Sequence, residues 1–174
     1  MNKIIFSIFI LLLTIQVKGQ NVEHLNLSSR NTVYVELLGS GGIYSVNFDR
    51  ILIPSDTFNV AGRIGLTYLP VIEEFNDHPT IGFPFEISFL FGEKNGKLEL
   101  GIGATYFYAF EELKNSSYTI FVPRIGYRLQ KDQGGLFIKT GFTPWIPVFA
   151  GSVNPGIVPM IGFALGHTFK NKGY

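Results

Sequence analysis

The sequence contains no cysteine. That excludes a disulfide framework, a thiolate metal site and a lipidated cysteine anchor. Charge is scarce too. Asp, Glu, Lys and Arg make up 16% of the chain, where roughly 25% is usual for a soluble domain, so the surface is not a conventionally hydrated one. The formal charge of +1 supplies no basic face and argues against a nucleic-acid partner. Long apolar runs are missing beyond the first residues. No later segment reaches the roughly 20 apolar residues that a membrane helix needs. If the mature chain enters a membrane, it must do so as strands, because in lipid only helices and closed barrels satisfy every backbone group.

What the chain does have is aromatic side chains, at 15%, and 20 glycines among 174 residues, enough for one domain. Its N-terminus is a separate object. Lys3 is a positive n-region, and residues 4–15 are apolar apart from Ser7 and Thr14. That is signal-peptide length, and Val17-Lys18-Gly19 offers modest residues for cleavage. Residues 1–19 are expected to be a cleaved leader; loss of Lys3 and Lys18 takes the charge from +1 to −1. Residues 20–31 are then a polar lead-in.

The most patterned stretch is 83–110. Phe83, Phe85, Ile87, Phe89 and Phe91 share one face, opposite Pro84, Glu86, Ser88, Leu90 and Gly92. A turn with Asn95-Gly96 follows, a strong hairpin signal. Leu98, Leu100, Ile102, Ala104, Tyr106, Tyr108 and Phe110 then alternate with Glu99, Gly101, Gly103, Thr105, Phe107 and Ala109. Both arms have period 2, so both are strands with one bulky apolar side. The second side is small or polar. Bulky residues facing lipid around a tight interior give this pattern.

The same rhythm predicts strands at 32–38, 43–52, 58–69, 118–129, 135–146 and 157–169, eight in all with the hairpin. Gly39-Ser40-Gly41-Gly42 reads as a hairpin turn, since no helix follows it. Connections alternate in length, with longer ones at 70–80, 111–117 and 147–156. Short turns belong on the periplasmic side and longer loops outside. The short connection after the first strand fits that scheme least well. Pro84, Pro123, Pro144 and Pro159 each remove a ladder donor, so bulges or frayed strands are expected there.

These features resemble the eight-stranded outer-membrane β-barrel family of Gram-negative bacteria, the OmpA/OmpX type. The resemblance covers residues 32–169 and includes the closing Phe163-Ala164-Leu165-Gly166-His167-Thr168-Phe169, similar to an aromatic-ended terminal strand. Residues 170–174 form a tail beyond it. The resemblance implies an all-β, eight-stranded antiparallel up-and-down transmembrane barrel, located in the outer membrane among its lipids and inserted there by the barrel assembly machinery. It says nothing of a specific activity, since such barrels include adhesins, small channels, lipid-modifying enzymes and structural proteins.

The alternation assigns Glu36, Asp49, Glu86 and Glu99 to the interior, together with Arg63, Arg124, Arg128 and Lys139. Four charges of each sign cancel. An eight-stranded barrel has room for side chains and little else, and a buried unpaired charge costs several kcal/mol. A closed lumen charge network is therefore expected; a small gated channel lined by the same groups is the alternative. Tyr44, Tyr68, Tyr106 and Tyr108 fall near one end of their strands, and Phe48, Phe58, Phe91, Tyr127 and Phe169 near the other, as two interface girdles would.

No enzyme, cofactor or metal site is expected. The histidines are His24, His78 and His167. His78 follows Glu73, Glu74 and Asp77, which matches no calcium-loop spacing. A lipid-modifying enzyme built on His78 is the first rival function. A secreted, lipocalin-like barrel binding an apolar ligand is the second, and it would turn every strand inside out. An extracellular partner, if there is one, would meet loops 70–80, 111–117 and 147–156.

Overall fold

A computed structural model of the chain describes residues 30–55, 58–71, 77–92, 95–110, 116–148 and 156–170. The strand segments are β1 (Asn31–Leu37), β2 (Tyr44–Ile53), β3 (Phe58–Leu69), β4 (Thr80–Phe91), β5 (Gly96–Ala109), β6 (Ser116–Gln130), β7 (Gly135–Phe142), β8 (Ile146–Pro147) and β9 (Ile161–Phe169). Successive segments from β1 to β7 pair antiparallel, and β9 pairs with both β7 and β1, which closes the ring. β7 and β8 run along β6 in one line, so the barrel has eight staves.

Period-2 sequence dictates which side of each stave faces in. On β2, Ser45, Asn47 and Asp49 are buried while Val46, Phe48 and Arg50 are exposed. On β4, Phe83, Phe85 and Ile87 are exposed while Pro84, Glu86 and Ser88 are buried.

Several strands differ from the limits that the pattern predicts. β1 begins at Asn31, β4 at Thr80, and β6 extends from Ser116 to Gln130. The ladders carry them outward: Thr80 pairs with Ala109, and Ala109 with Ser116. β5 starts at Gly96, which takes Lys97 out of the expected turn and into the barrel. The expected strand 135–146 ends at Phe142 and resumes as β8, and the expected strand 157–169 starts at Ile161. The cause lies in register. Phe142 pairs with Ile125 and Ile146 with Phe121, so an unbroken ladder would set Pro144 against Pro123. Phe142 also pairs with Ile161 and Trp145 with Val158, which sets Pro144 against Pro159. Three adjacent staves thus carry proline at one level, and none can donate a ladder bond there. Pro84 keeps its pairing with Thr105 on β5, but the β3–β4 ladder skips it, running to Ile64–Phe85 and resuming at Thr67–Gly82.

The connection after β1 folds inward. Leu38 N donates to Ile43 O at 3.0 Å, Leu38 takes φ 53° and Gly42 φ 88°, and residues 39–42 are buried. A glycine tolerates that left-handed backbone without cost. The turn's shortness has a structural reason: it sits in the barrel mouth rather than over it.

Candidate functional site

The interior is the most distinctive part of the molecule. Its middle holds an unbroken chain of charges of alternating sign. Arg63 Nη1 lies 2.9 Å from Glu36 Oε2, and Glu36 Oε1 lies 2.5 Å from Arg124 Nη2. Arg124 Nε donates to Glu86 Oε2 at 3.0 Å, and Lys139 Nζ reaches Glu86 Oε1 at 2.8 Å and Glu99 Oε1 at 2.7 Å. Arg128 then takes Glu99 at 3.1 Å through Nη2 and forks onto Asp49, at 2.9 Å from Oδ1 and 2.7 Å from Oδ2. The order is Arg63, Glu36, Arg124, Glu86, Lys139, Glu99, Arg128, Asp49. All eight side chains are buried.

Strand register explains how they meet. Arg63 stands directly opposite both Asp49 and Glu86. Arg128 stands opposite Lys139, a like-charge pair that would repel; Glu99 bridges the two. Glycines make the room. Gly103 is the register partner of Glu86, Gly101 that of Arg124 and Gly126 that of Glu99. A Cβ on Gly101 would meet Arg124 Cβ and Glu86 Cδ, both at 3.1 Å. Alternating small and large inward residues is how small barrels fill themselves.

Other inward groups pack above and below. Toward the mouth, Phe107, Ile120 and Val122 form an apolar cluster with Leu69 and Trp145. The β1–β2 turn rests on it. Trp145 Nε1 donates to Gly39 O at 3.2 Å and Thr105 Oγ1 to Ser40 O at 2.7 Å. Ser40 Oγ donates to Glu36 Oε2 at 3.2 Å and accepts from Arg63 Nη2. Toward the other end, Tyr34 stacks on Phe137 at 4.9 Å, Arg128 lies over the Phe137 ring, and Thr32 Oγ1 bonds to Thr168 Oγ1 and accepts from Gln130 Nε2. Ser40 and Lys97 belong to this interior although both read as turn residues in the sequence. The inward parity of Lys97 with Glu99 was their available signal. Lys97 Nζ lies 3.9 Å from Asp132 Oδ1 at the rim.

The outward face is apolar. Phe48, Phe58, Tyr68, Phe91, Tyr106, Tyr127 and Phe169 are exposed, and Tyr44 and Tyr108 partly so. Phe58 and Phe91 stack at 6.0 Å across a register pair. Among the described strand residues, Arg50 is the one Arg, Lys, Asp or Glu on this face. In lipid such a residue costs about 2–4 kcal/mol at the midplane and about 0–1 near the interface. Arg50 is opposite Asn31, which in turn is opposite Phe169, the last residue of β9. It therefore sits near the end at which β1 begins.

His78 O accepts from Thr80 Oγ1 at 3.0 Å, at the start of β4. Ser88 Oγ donates to Glu86 Oε1 at 2.9 Å inside the barrel, whereas His78 belongs to the connection before β4. His167 points outward, its ring edge-on to Phe169 at 5.2 Å. His24, Glu73 and Glu74 lie outside the described residues, as do the expected leader at 1–19 and residues 72–76, 111–115 and 149–155 of the three loops.

No protein-family model matches the sequence, and no curated protein is significantly similar to it. Solved structures are similar. The N-terminal β-barrel domain of Pseudomonas aeruginosa OprF shares 13% identity with a TM-score of 0.50, over 81% of this chain and 99% of that one. Ail, the attachment invasion locus protein of Yersinia pestis, was solved in complex with the heparin analogue sucrose octasulfate; it shares 12% identity with a TM-score of 0.48, over 80% of this chain and 95% of that one. At such identity the likeness is one of fold, and the fold of this chain is a closed, eight-stranded antiparallel β-barrel.

Proposed function

We propose that the chain is exported through its leader and spans the outer membrane as a barrel with a filled, charge-paired lumen. Its direct role is to occupy the membrane and present loops 70–80, 111–117 and 147–156 to an extracellular partner, without enzymatic activity. The observation that supports this most is the division of side chains between the two faces. Phe85, Ile87, Ile64 and Ile102 are each more than half exposed, at 51, 54, 57 and 58%, while eight charged side chains are buried and mutually paired. Water would penalise such a surface and lipid would not. A lipocalin-like barrel needs the reverse arrangement.

The test is to fold the mature chain into detergent micelles or liposomes and compare boiled with unboiled samples on a denaturing gel, with circular dichroism to verify β-structure. A heat-dependent mobility shift that requires lipid or detergent is expected. A folded, monodisperse protein in plain buffer would overturn the reading.

A further inference from the structure

Among the described strand residues Arg50 is the one lysine or arginine on the apolar wall, and a trough runs beside it. Gly62 is its register partner on β3, and the next outward residues along that row are Ile87 and Ile102. One level up, the row holds Ala104 between Phe85 and Phe121. Gly62 and Ala104 are small among large neighbours, so together they floor a trough of about 640 Å³ that opens on the membrane side and has Arg50 in its lining. The Leu52 side chain lies against Gly62, with Cδ1 3.0 Å from where a Cβ would stand, and walls the trough there. A shallow apolar channel with one guanidinium at its end matches an amphiphile with an anionic head.

We propose that this trough is a binding site for one glycerophospholipid, with an acyl chain laid along Leu52 and over Ala104 and the phosphate on Arg50. A guanidinium offers a phosphate two parallel N–H donors, which an ammonium cannot. Desolvation by the acyl chain strengthens that contact relative to open water. The position also selects the leaflet. Arg50 is at the end where β1 begins and β9 finishes, the end of the short turns, which in the proposed orientation is periplasmic. The site rests on the membrane-barrel reading, since the wall is lipid-facing only in that case.

Native mass spectrometry of the refolded protein, titrated with dioleoyl phosphatidylglycerol in a released detergent micelle, tests it. Arg50→Gln removes the phosphate donor and Ala104→Leu fills the trough; both positions face outward and leave the interior untouched. The wild-type chain is expected to hold one lipid about tenfold more tightly than either variant, since one charge-assisted contact is worth about that factor. Arg50→Lys should fall between. Equal retention by Arg50→Gln overturns the proposal. Loss in Arg50→Gln with full retention by Ala104→Leu also overturns it, and leaves an arginine that merely reaches the interface. A dimer mass in place of a lipid adduct would assign the trough to a second copy. Gel mobility of each sample separates these results from failure of the barrel reading, in which no sample would show the heat-dependent shift.

Discussion

Arg124 is the residue on which most of the interior network turns. It touches Glu36 at 2.5 Å and Glu86 at 3.0 Å, joining the two acids nearest the barrel mouth. Replacing it with Met keeps much of the volume and leaves both carboxylates short of a partner in a dry interior. Breaking a buried pair in this way costs about 3–5 kcal/mol. Arg124→Met should therefore lower the urea midpoint for unfolding from vesicles by that free energy, and Arg124→Met with Glu36→Gln should recover part of it. Equal stability of the single variant and the wild type would mean that water reaches the network. A smaller effect is expected at Trp145, whose indole N–H holds the inward turn at Gly39 O. Trp145→Phe keeps the aromatic contact with Phe107 and loses one hydrogen bond, about 1 kcal/mol by the same measurement.

At the level of elements, the row of prolines divides a strong wall from a weak one. The full 14 residues of β5 pair with β6. On its other edge β6 pairs with β7 at 125–130 and with β8 at 120–121, and the interval around Pro123 has no ladder. Amide hydrogen exchange in micelles should report it: residues 98–108 of β5 slow, and the amides that flank the break, those of Phe121, Ile125, Phe142 and Ile146, faster than those of Val122 and Arg124, which face β5, and of Thr143 and Trp145, which bond to Met160 O and Val158 O. Uniform protection along β6 would contradict the break. Much of this barrel was legible in alternation alone, because period 2 states which residues share a face, and eight stretches of it with the Asn95-Gly96 turn suffice for an up-and-down barrel. The break was not. Pro144 reads as one more residue of a strand, and only register shows that Pro123 and Pro159 stand beside it. The inward fold of residues 38–43 was hidden for a related reason: a glycine-rich turn looks the same in sequence whether it covers a barrel mouth or enters it. Its acceptors for Thr105 and Trp145 are backbone carbonyls, which sequence does not distinguish. Arg50 falls outward by the same alternation that sends Asp49 inward, but one cation in an apolar face makes no pattern.

For the whole molecule, the decisive feature is that the charges are inside and the oils outside. Interior pairs that water does not reach are screened far less by salt than surface pairs. The eight paired charges carry four positive and four negative groups and sum to zero, and Lys97 adds one cation at the rim, facing Asp132. Phe107, Trp145 and the buried 39–42 turn pack above this chain and Tyr34 and Phe137 below it, which supports the filled lumen proposed above. Two consequences can be measured on one preparation. The urea midpoint should stay nearly flat between about 0.1 M and about 1 M salt, where a surface network would weaken as the Debye length falls from about 10 Å to about 3 Å. Incorporation into planar bilayers should give no steady conductance above the lipid baseline. A salt-dependent midpoint together with ohmic steps would mean that the charges line water rather than one another, and the barrel would then be a small channel with Arg63, Arg124 and Arg128 along its path.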